Sequence, residues 1–147
     1  QQSGIRLQNK LDLELSHHYG IEQFKQYGCS IITCVNREYC KKIIILLPGQ
    51  CNPEHAHTLK EESFHLLYGD LCLNLDGKEQ HCQSGDIILV ERGVKHAFSS
   101  RNGAVLEEIS TRHFPNDSAY SDQTIGETTT RKTYLTFYAD WMNGELR

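Results

Sequence analysis

His55 and His57 stand one residue apart, Glu62 follows His57 by five positions, and His96 comes later in the chain. Alternate residues of a β-strand share a face, so His55 and His57 can present both imidazoles to one point. Glu62 opens a second run in which Glu62, Phe64, Leu66 and Tyr68 fall on one side. His96 lies two hairpin signals further on, where antiparallel winding could return it to the first three. Three neutral imidazoles and one carboxylate suit a first-row divalent cation, with one or two positions left for water or substrate. An H-x-H pair alone is weak, because solvated histidine pairs are common. The complete pattern is stronger: G-x5-H-x-H-x4-E-x6-G from Gly49 to Gly69, then G-x5-E-R-G-x2-H from Gly85 to His96.

Other groups could complete a pocket. In the run Lys41–Leu47, Lys42, Ile44 and Leu46 share one face; if it is inward, Lys42 brings an ammonium near the cation site, where it needs an anionic partner. The simpler reading of Lys42 is an exposed lysine at a strand start. Glu107 and Glu108 are adjacent, so a regular strand sends one to the cavity and the other to solvent, and a bulge would exchange them. His113, Asp117, Tyr120 and Asp122 lie in a polar stretch that could cover the site, bind hydroxyl groups or satisfy loop backbone. His65 is out of phase with Glu62 and should point away; His81 flanks Cys82 at the end of a hairpin strand, where only an opportunistic metal contact is open to it, and the pair His17-His18 has no supporting carboxylate pattern. Arg112, Arg131 and Lys132 could hold an anionic group, but they form no compact patch, and a solvated face is the simpler account.

The elements that must position these residues read as short strands. Leu11, Leu13 and Leu15 alternate, and IEQFKQY suits one or two helical turns ended by Gly28. SIITCVN and KKIIILLPG are rich in β-branched residues, with Pro48-Gly49 as a stop. SFHLLYG and DLCLNLDG read as two short apolar runs. Asp76-Gly77 is a two-residue hairpin signal, and Ser84-Gly85, Arg92-Gly93 and Asn102-Gly103 mark further turns. The stretch from Thr111 to Arg131 reads as polar loop, and RKTYLTFYADW as a closing strand. Closely spaced turns without helix–strand alternation predict an all-β antiparallel barrel or sandwich. Exposed edges in such a fold predict a homodimer.

Composition sets the outer bounds. With 147 residues the chain has room for one domain, taken as 1–147, and 38% hydrophobic against 23% charged residues is globular rather than disordered. The net charge of -4 offers no general attraction for nucleic acid or an anionic membrane. No segment reads as a membrane span or a leader, which predicts a cytoplasmic protein. Six cysteines lack any C-x-x-C pair, and several sit in strand-like apolar runs, so they are expected as free thiols. Centring a hairpin on Asp76-Gly77 sets His81, not Cys82, opposite Cys72.

The two histidine-bearing patterns resemble the motifs of the cupin superfamily. The first fits completely; the second fits at Gly85, Gly93 and His96, with Glu91 where proline is common and Ser100 where asparagine is common. This implies a cupin-type β-barrel (double-stranded β-helix, jelly roll), with a metal-binding core at 41–110 and an N-terminal extension at 1–28. It also implies His55, His57, Glu62 and His96 as ligands of one divalent ion, with Mn2+ favoured and Zn2+, Fe2+, Ni2+ or Co2+ as alternatives. KKIIILLPGQCNPEHAHTLKEESFHLLYGD, VERGVKHAFSS and VLEEISTRHFPNDSAYSD further resemble the cupin domains attached to sialic-acid-type synthases and the short D-lyxose isomerase cupins. The isomerase resemblance implies aldose–ketose isomerisation of a small sugar or sugar acid, with Lys42 as a substrate-contacting lysine and Glu108 as general base. The synthase resemblance implies instead a noncatalytic sugar-binding or regulatory domain of a nonulosonic acid synthesis protein, with a fused or associated synthase domain. Metal-dependent dioxygenation is a third expectation for such a ligand set.

Overall fold

β-branched runs, separated by turns whose residues tolerate positive φ, build a curled antiparallel sheet. A computed structural model describes residues 9–127, 130–140 and 145–146. The strands are β1 (Lys10–His17), β2 (Gly28–Asn36), β3 (Tyr39–Leu46), β4 (Cys51–His57), β5 (Glu62–Leu75), β6 (Lys78–Gln83), β7 (Ile87–Val90), β8 (His96–Ser99), β9 (Ala104–Thr111), β10 (Ser118–Tyr120), β11 (Lys132–Asp140) and β12 (Glu145–Leu146). A 3-10 turn at Ile21–Gln23 and one short helix, α1 (Gln123–Glu127), complete the described residues. Of the sequence readings, the start of the N-terminal extension (residues 1–8) and Trp141 of the closing strand lie outside them.

The strands follow the order β10-β4-β8-β5-β9-β3-β2-β1-β11-β12, with β6 and β7 both on β5. All these pairings are antiparallel, and the strands curl into the β-barrel expected from the sequence. The hairpin at Asp76-Gly77 has φ of 47° and 81° at its two central residues, as a tight two-residue turn requires. Cys72 lies opposite His81, the register expected of that hairpin, and all six cysteines are free. None of the described helices is long and apolar enough to cross a membrane.

Two sequence readings need correction. SFHLLYG and DLCLNLDG are not separate strands but one 14-residue strand, β5. Its first half pairs with β9 and β7, and its second half with β6 and β8. Gly69 is the corner between the halves, at φ 86°. There the backbone of the β8–β9 turn presses so close that an added Cβ would lie 2.0 Å from the Gly103 carbonyl oxygen. A glycine that reads as a strand end is thus a bend inside a strand. The stretch from Thr111 to Arg131 is also more than a loop: β10 pairs with β4, setting Ser118 opposite His57 and Tyr120 opposite His55. Three residues carry too little alternation to announce a strand, but the open edge of β4 accepts them.

The inward face changes character along each strand. Ile44 and Leu46, Phe64 and Leu66, Leu106, and Phe98 form the buried apolar floor. Two residues along the same faces come Lys42, Glu62, Glu108 and His96, all buried. A smaller apolar cluster on the opposite face of the sheet gathers Leu11, Ile32 and Ile43. Gly69→Ala should destabilise the protein by ~3 kcal/mol, from backbone strain at positive φ plus the overlap with Gly103. Urea unfolding checks this; a variant as stable as wild type would show that the corner has room.

Candidate metal centre

The site begins with an irregularity in β4. The β4–β8 register shifts between Asn52 and His55, with Pro53 inside the bulge, where it owes no ladder hydrogen bond. The shift sets His55 directly opposite His96. Strand alternation then puts His57 on the same inward face, and β5 brings Glu62 beside them.

Each imidazole is oriented through its Nδ1. Pro53 O lies 2.9 Å from His55 Nδ1, Val94 O lies 3.1 Å from His96 Nδ1, and Asp117 O lies 3.3 Å from His57 Nδ1. A carbonyl can only accept, so these contacts assign the proton to Nδ1 in all three rings and leave Nε2 as a lone pair. The three rings offer ligand atoms within 4.8 Å of one another. Glu62 Oε2 stands 3.5 Å from His57 Nε2 and 3.2 Å from His96 Nε2. Both Glu62 Oε2 and His96 Nε2 are buried without a hydrogen-bond partner among the described residues. Two lone-pair acceptors so close together repel unless a cation lies between them. Burial pushes His57 down to about 4 and His55 well below the ordinary histidine value, so these imidazoles do not supply the charge as protons near neutral pH. Burial also disfavours charge on Glu62, yet the Lys60 ammonium beside it helps hold its carboxyl well below the usual carboxylate range. Nitrogen and carboxylate donors of this kind fit a first-row divalent cation, and His55, His57, His96 and Glu62 are the residues that could hold it.

A second charged group shares the cavity. Glu108 is 2% exposed and Lys42 5% exposed, whereas Lys41 and Glu107 pair with each other at 2.6 Å on the other face. The strand is therefore regular here, and the inward members of the two doublets are Lys42 and Glu108. Lys42 Nζ donates to both Glu108 oxygens, at 3.2 and 3.4 Å, and Ser110 Oγ donates to Oε1 at 3.0 Å. His113 Nδ1 lies 3.4 Å from Lys42 Nζ, and burial aided by the Lys42 charge pushes His113 down to about 3. As a neutral ring it accepts from the lysine. His65 points away, towards Glu107, as its phase predicts.

Sequence reasoning missed Lys60. It is 3% exposed and donates both to Glu62 Oε1 and, at 3.2 Å, to Glu108 Oε1. Burial opposes its ammonium, but the two carboxylates outweigh burial and raise its pKa. Lys60 sits two residues before Glu62 and so shares its phase, a signal hidden by reading Thr58-Leu59-Lys60 only as a turn. Asp117 anchors that turn: its carboxylate accepts from the backbone N–H groups of Thr58, Leu59 and Lys60 and from the Thr58 hydroxyl, at 2.9 to 3.1 Å. Among the other polar-stretch residues, Tyr120 packs 5.3 Å from the His55 ring, while Asp122 bonds Tyr19 and Thr124 at the surface. Arg112 lies over Phe114, away from the cavity, but Arg131 and Lys132 line it.

Residues 42–109 match the family described as the cupin domain, and that span holds all four candidate ligands together with Lys42, Lys60 and Glu108. Residues 42–109 are a cupin domain. The chain carrying this cupin is 25% identical over 150 residues to a protein of Thermosediminibacter oceani named D-lyxose/D-mannose isomerase, covering 82% of each chain. A shorter match of 58 residues, 29% identical, reaches the tetracenomycin polyketide synthase protein TcmJ of Streptomyces glaucescens, over 40% of this chain and 39% of that one. Among solved structures, the L-ribose isomerase of Cellulomonas parahominis with L-psicose superposes with a TM-score of 0.67 at 14% identity, over 77% of this chain and 81% of that one. The L-ribose isomerase of Geodermatophilus obscurus gives a TM-score of 0.67, also at 14% identity, over 82% and 83%. At such identity the structural likeness establishes the fold alone.

Asp117→Ala should lower the stability of the cupin by ~2–4 kcal/mol, since charge-assisted hydrogen bonds to a buried carboxylate contribute ~1.5–3 kcal/mol each and water replaces some of them. Burial raises the Asp117 pKa, but the backbone and hydroxyl donors outweigh it and hold the folded value below the ordinary one. The stabilisation is therefore present above the unfolded value of about 3.9 and is lost as pH falls through the depressed folded value. Urea unfolding between pH 7 and pH 2 should show the wild-type and Asp117→Ala curves converging at the acid end. A constant gap would contradict the assignment.

Proposed function

We propose that this protein is a metal-dependent aldose–ketose isomerase acting on a small sugar, with D-lyxose and D-mannose as the first candidates. The observation that carries the reading is the buried Glu108 carboxylate, held by Lys42 and Lys60 in the same cavity as the histidine cluster. The relative named D-lyxose/D-mannose isomerase supports it, as a match along most of both chains.

Interconversion of an aldose and its ketose moves one proton between C2 and C1 and one between the two attached oxygens. A single carboxylate can take the carbon-bound proton and return it to the neighbouring carbon, and Glu108 is the base assigned here. Lys42 and Lys60 lie where they oppose negative charge developing on a substrate oxygen, and being fixed by Glu108 and Glu62 they need little rearrangement to do so. A divalent cation held by His55, His57, Glu62 and His96 would add Lewis-acid polarisation of the carbonyl. Phe64 and Phe98 keep the floor of the cavity apolar.

With Mn2+ supplied, wild-type protein should convert D-lyxose or D-mannose to the corresponding ketose. Glu108→Gln should reduce turnover by roughly 10²–10⁴-fold, the usual worth of a positioned proton-transfer group, while bound metal stays unchanged. Glu108→Asp should recover part of the loss, and Glu107→Gln, altered only on the outer face, should stay near wild type. Full activity in Glu108→Gln would remove the carboxylate mechanism. Wild-type protein that holds metal yet turns over no aldose or ketose would favour a sugar-binding domain.

A further inference from the structure

The cavity runs beyond the histidine cluster towards β1 and β11 and has a volume of about 300 Å³, the lower end for small-molecule sites. Its charges do not balance. Lys42, Lys60, Arg131 and Lys132 line it, against Glu14, Glu62 and Glu108. Each carboxylate is already engaged: Glu62 with Lys60, Glu108 with Lys42 and Lys60, and Glu14 with Lys132 at 2.9 Å. Arg131 is left over. It is half-buried, and among the described residues its side chain has neither a carboxylate partner nor a hydrogen bond. What it does have is the ring of Tyr120, 5.1 Å below the guanidinium carbon. Stacking on one face leaves the N–H edge of the fork open. The positive excess is local, because the chain as a whole carries a net charge of -4. A bound divalent cation would increase it.

Geometry links this cation to the histidine cluster. Tyr120 packs against His55, with ring centroids 5.3 Å apart, and carries Arg131 over its ring. Two successive ring contacts therefore carry from a candidate ligand to the guanidinium, a reach that suits one sugar with an acidic group at its far end. His18 lies against the same tyrosine but adds no charge near neutral pH, since burial first, and then the nearby Arg131, push it down to about 4. A half-buried guanidinium without a counter-ion is costly, and its planar fork matches carboxylate and phosphate oxygens.

We propose that Arg131, seated on Tyr120, is an anion subsite of this cavity and that the ligand is a monosaccharide carrying a carboxylate or phosphate. This rests on the sugar-site reading above. The test titrates three matched probes, D-mannose, D-mannuronate and D-mannose 6-phosphate, calorimetrically into the Mn2+-loaded protein. At least one anionic probe should bind about tenfold or more tighter than D-mannose, the scale of one added charge-assisted contact. The carboxylate and phosphate arms tell which acid the subsite takes. Arg131→Gln should abolish that preference and leave D-mannose affinity unchanged, and Arg131→Lys, which keeps charge without the fork, should retain part of it. Thermal melts establish that both variants fold. Absence of binding by either anion, equal binding of all three probes, or a preference that survives in Arg131→Gln overturns the subsite. The two readings fail separately. Isomerisation of neutral sugars without anion preference sinks the subsite alone. Arg131-dependent anion preference without turnover of any sugar sinks the isomerase alone and leaves the subsite standing.

Discussion

Each candidate histidine ligand gives its Nδ1 proton to a nearby carbonyl, and this turns the Nε2 lone pairs of His55, His57 and His96 and the carboxylate of Glu62 towards one another. In a buried, weakly screened setting, acceptors that face each other without a donor are unstable. A shared cation relieves all of them at once. Much of the local architecture serves that convergence. The bulge at Pro53 sets His55 across from His96, and the bend at Gly69 lets one strand reach both His96 on β8 and Glu108 on β9. Asp117 ties down the turn that carries Lys60 into Glu62.

The lysines around this cluster follow from the same constraint. Two buried ammonium groups in a small barrel are tolerable only if each meets an anion. Lys60 bridges Glu62 and Glu108, while Lys42 pairs with Glu108 and leans on a neutral His113. The network keeps the candidate ligand carboxylate of Glu62 and the proposed base Glu108 as two distinct groups, one held on the histidine side and the other on the β3–β9 side. The apolar floor of Phe64 and Phe98 lies beneath them, and Tyr120, Arg131 and Lys132 line the same cavity.

Much of this was legible in the sequence because it depends on a period of two. Alternation places His55 with His57, opposes Lys41 to Lys42, and separates Glu107 from Glu108, provided β3 and β9 run without a bulge between them, as they do. Turn chemistry located the Asp76-Gly77 hairpin and, through it, the register of Cys72 against His81. What was not legible depended on long-range geometry. Gly69 punctuates the sequence like a strand end, and only the approach of Gly103 shows why a bend needs it. Ser118–Tyr120 is a strand because an open edge of β4 is there to receive it. Arg131 looked solvated because nothing near it in sequence marks a pocket; its partner Tyr120 is eleven residues away and reaches it through the fold.

The central claim is that the four convergent donors hold one divalent ion. Its most direct test is the electron paramagnetic resonance signal of free Mn2+, titrated into chelator-treated protein and compared with His96→Ala. Mn2+ favours hard nitrogen and oxygen donors over thiolates, so the free cysteines do not confuse the count. Wild-type protein should remove one equivalent of the free-ion signal per chain, and His96→Ala, still folded by thermal melt, should remove none at the same concentration. Equal uptake by both proteins, or no uptake by wild type of Mn2+ or of competing Zn2+, Fe2+, Ni2+ or Co2+, would contradict the account.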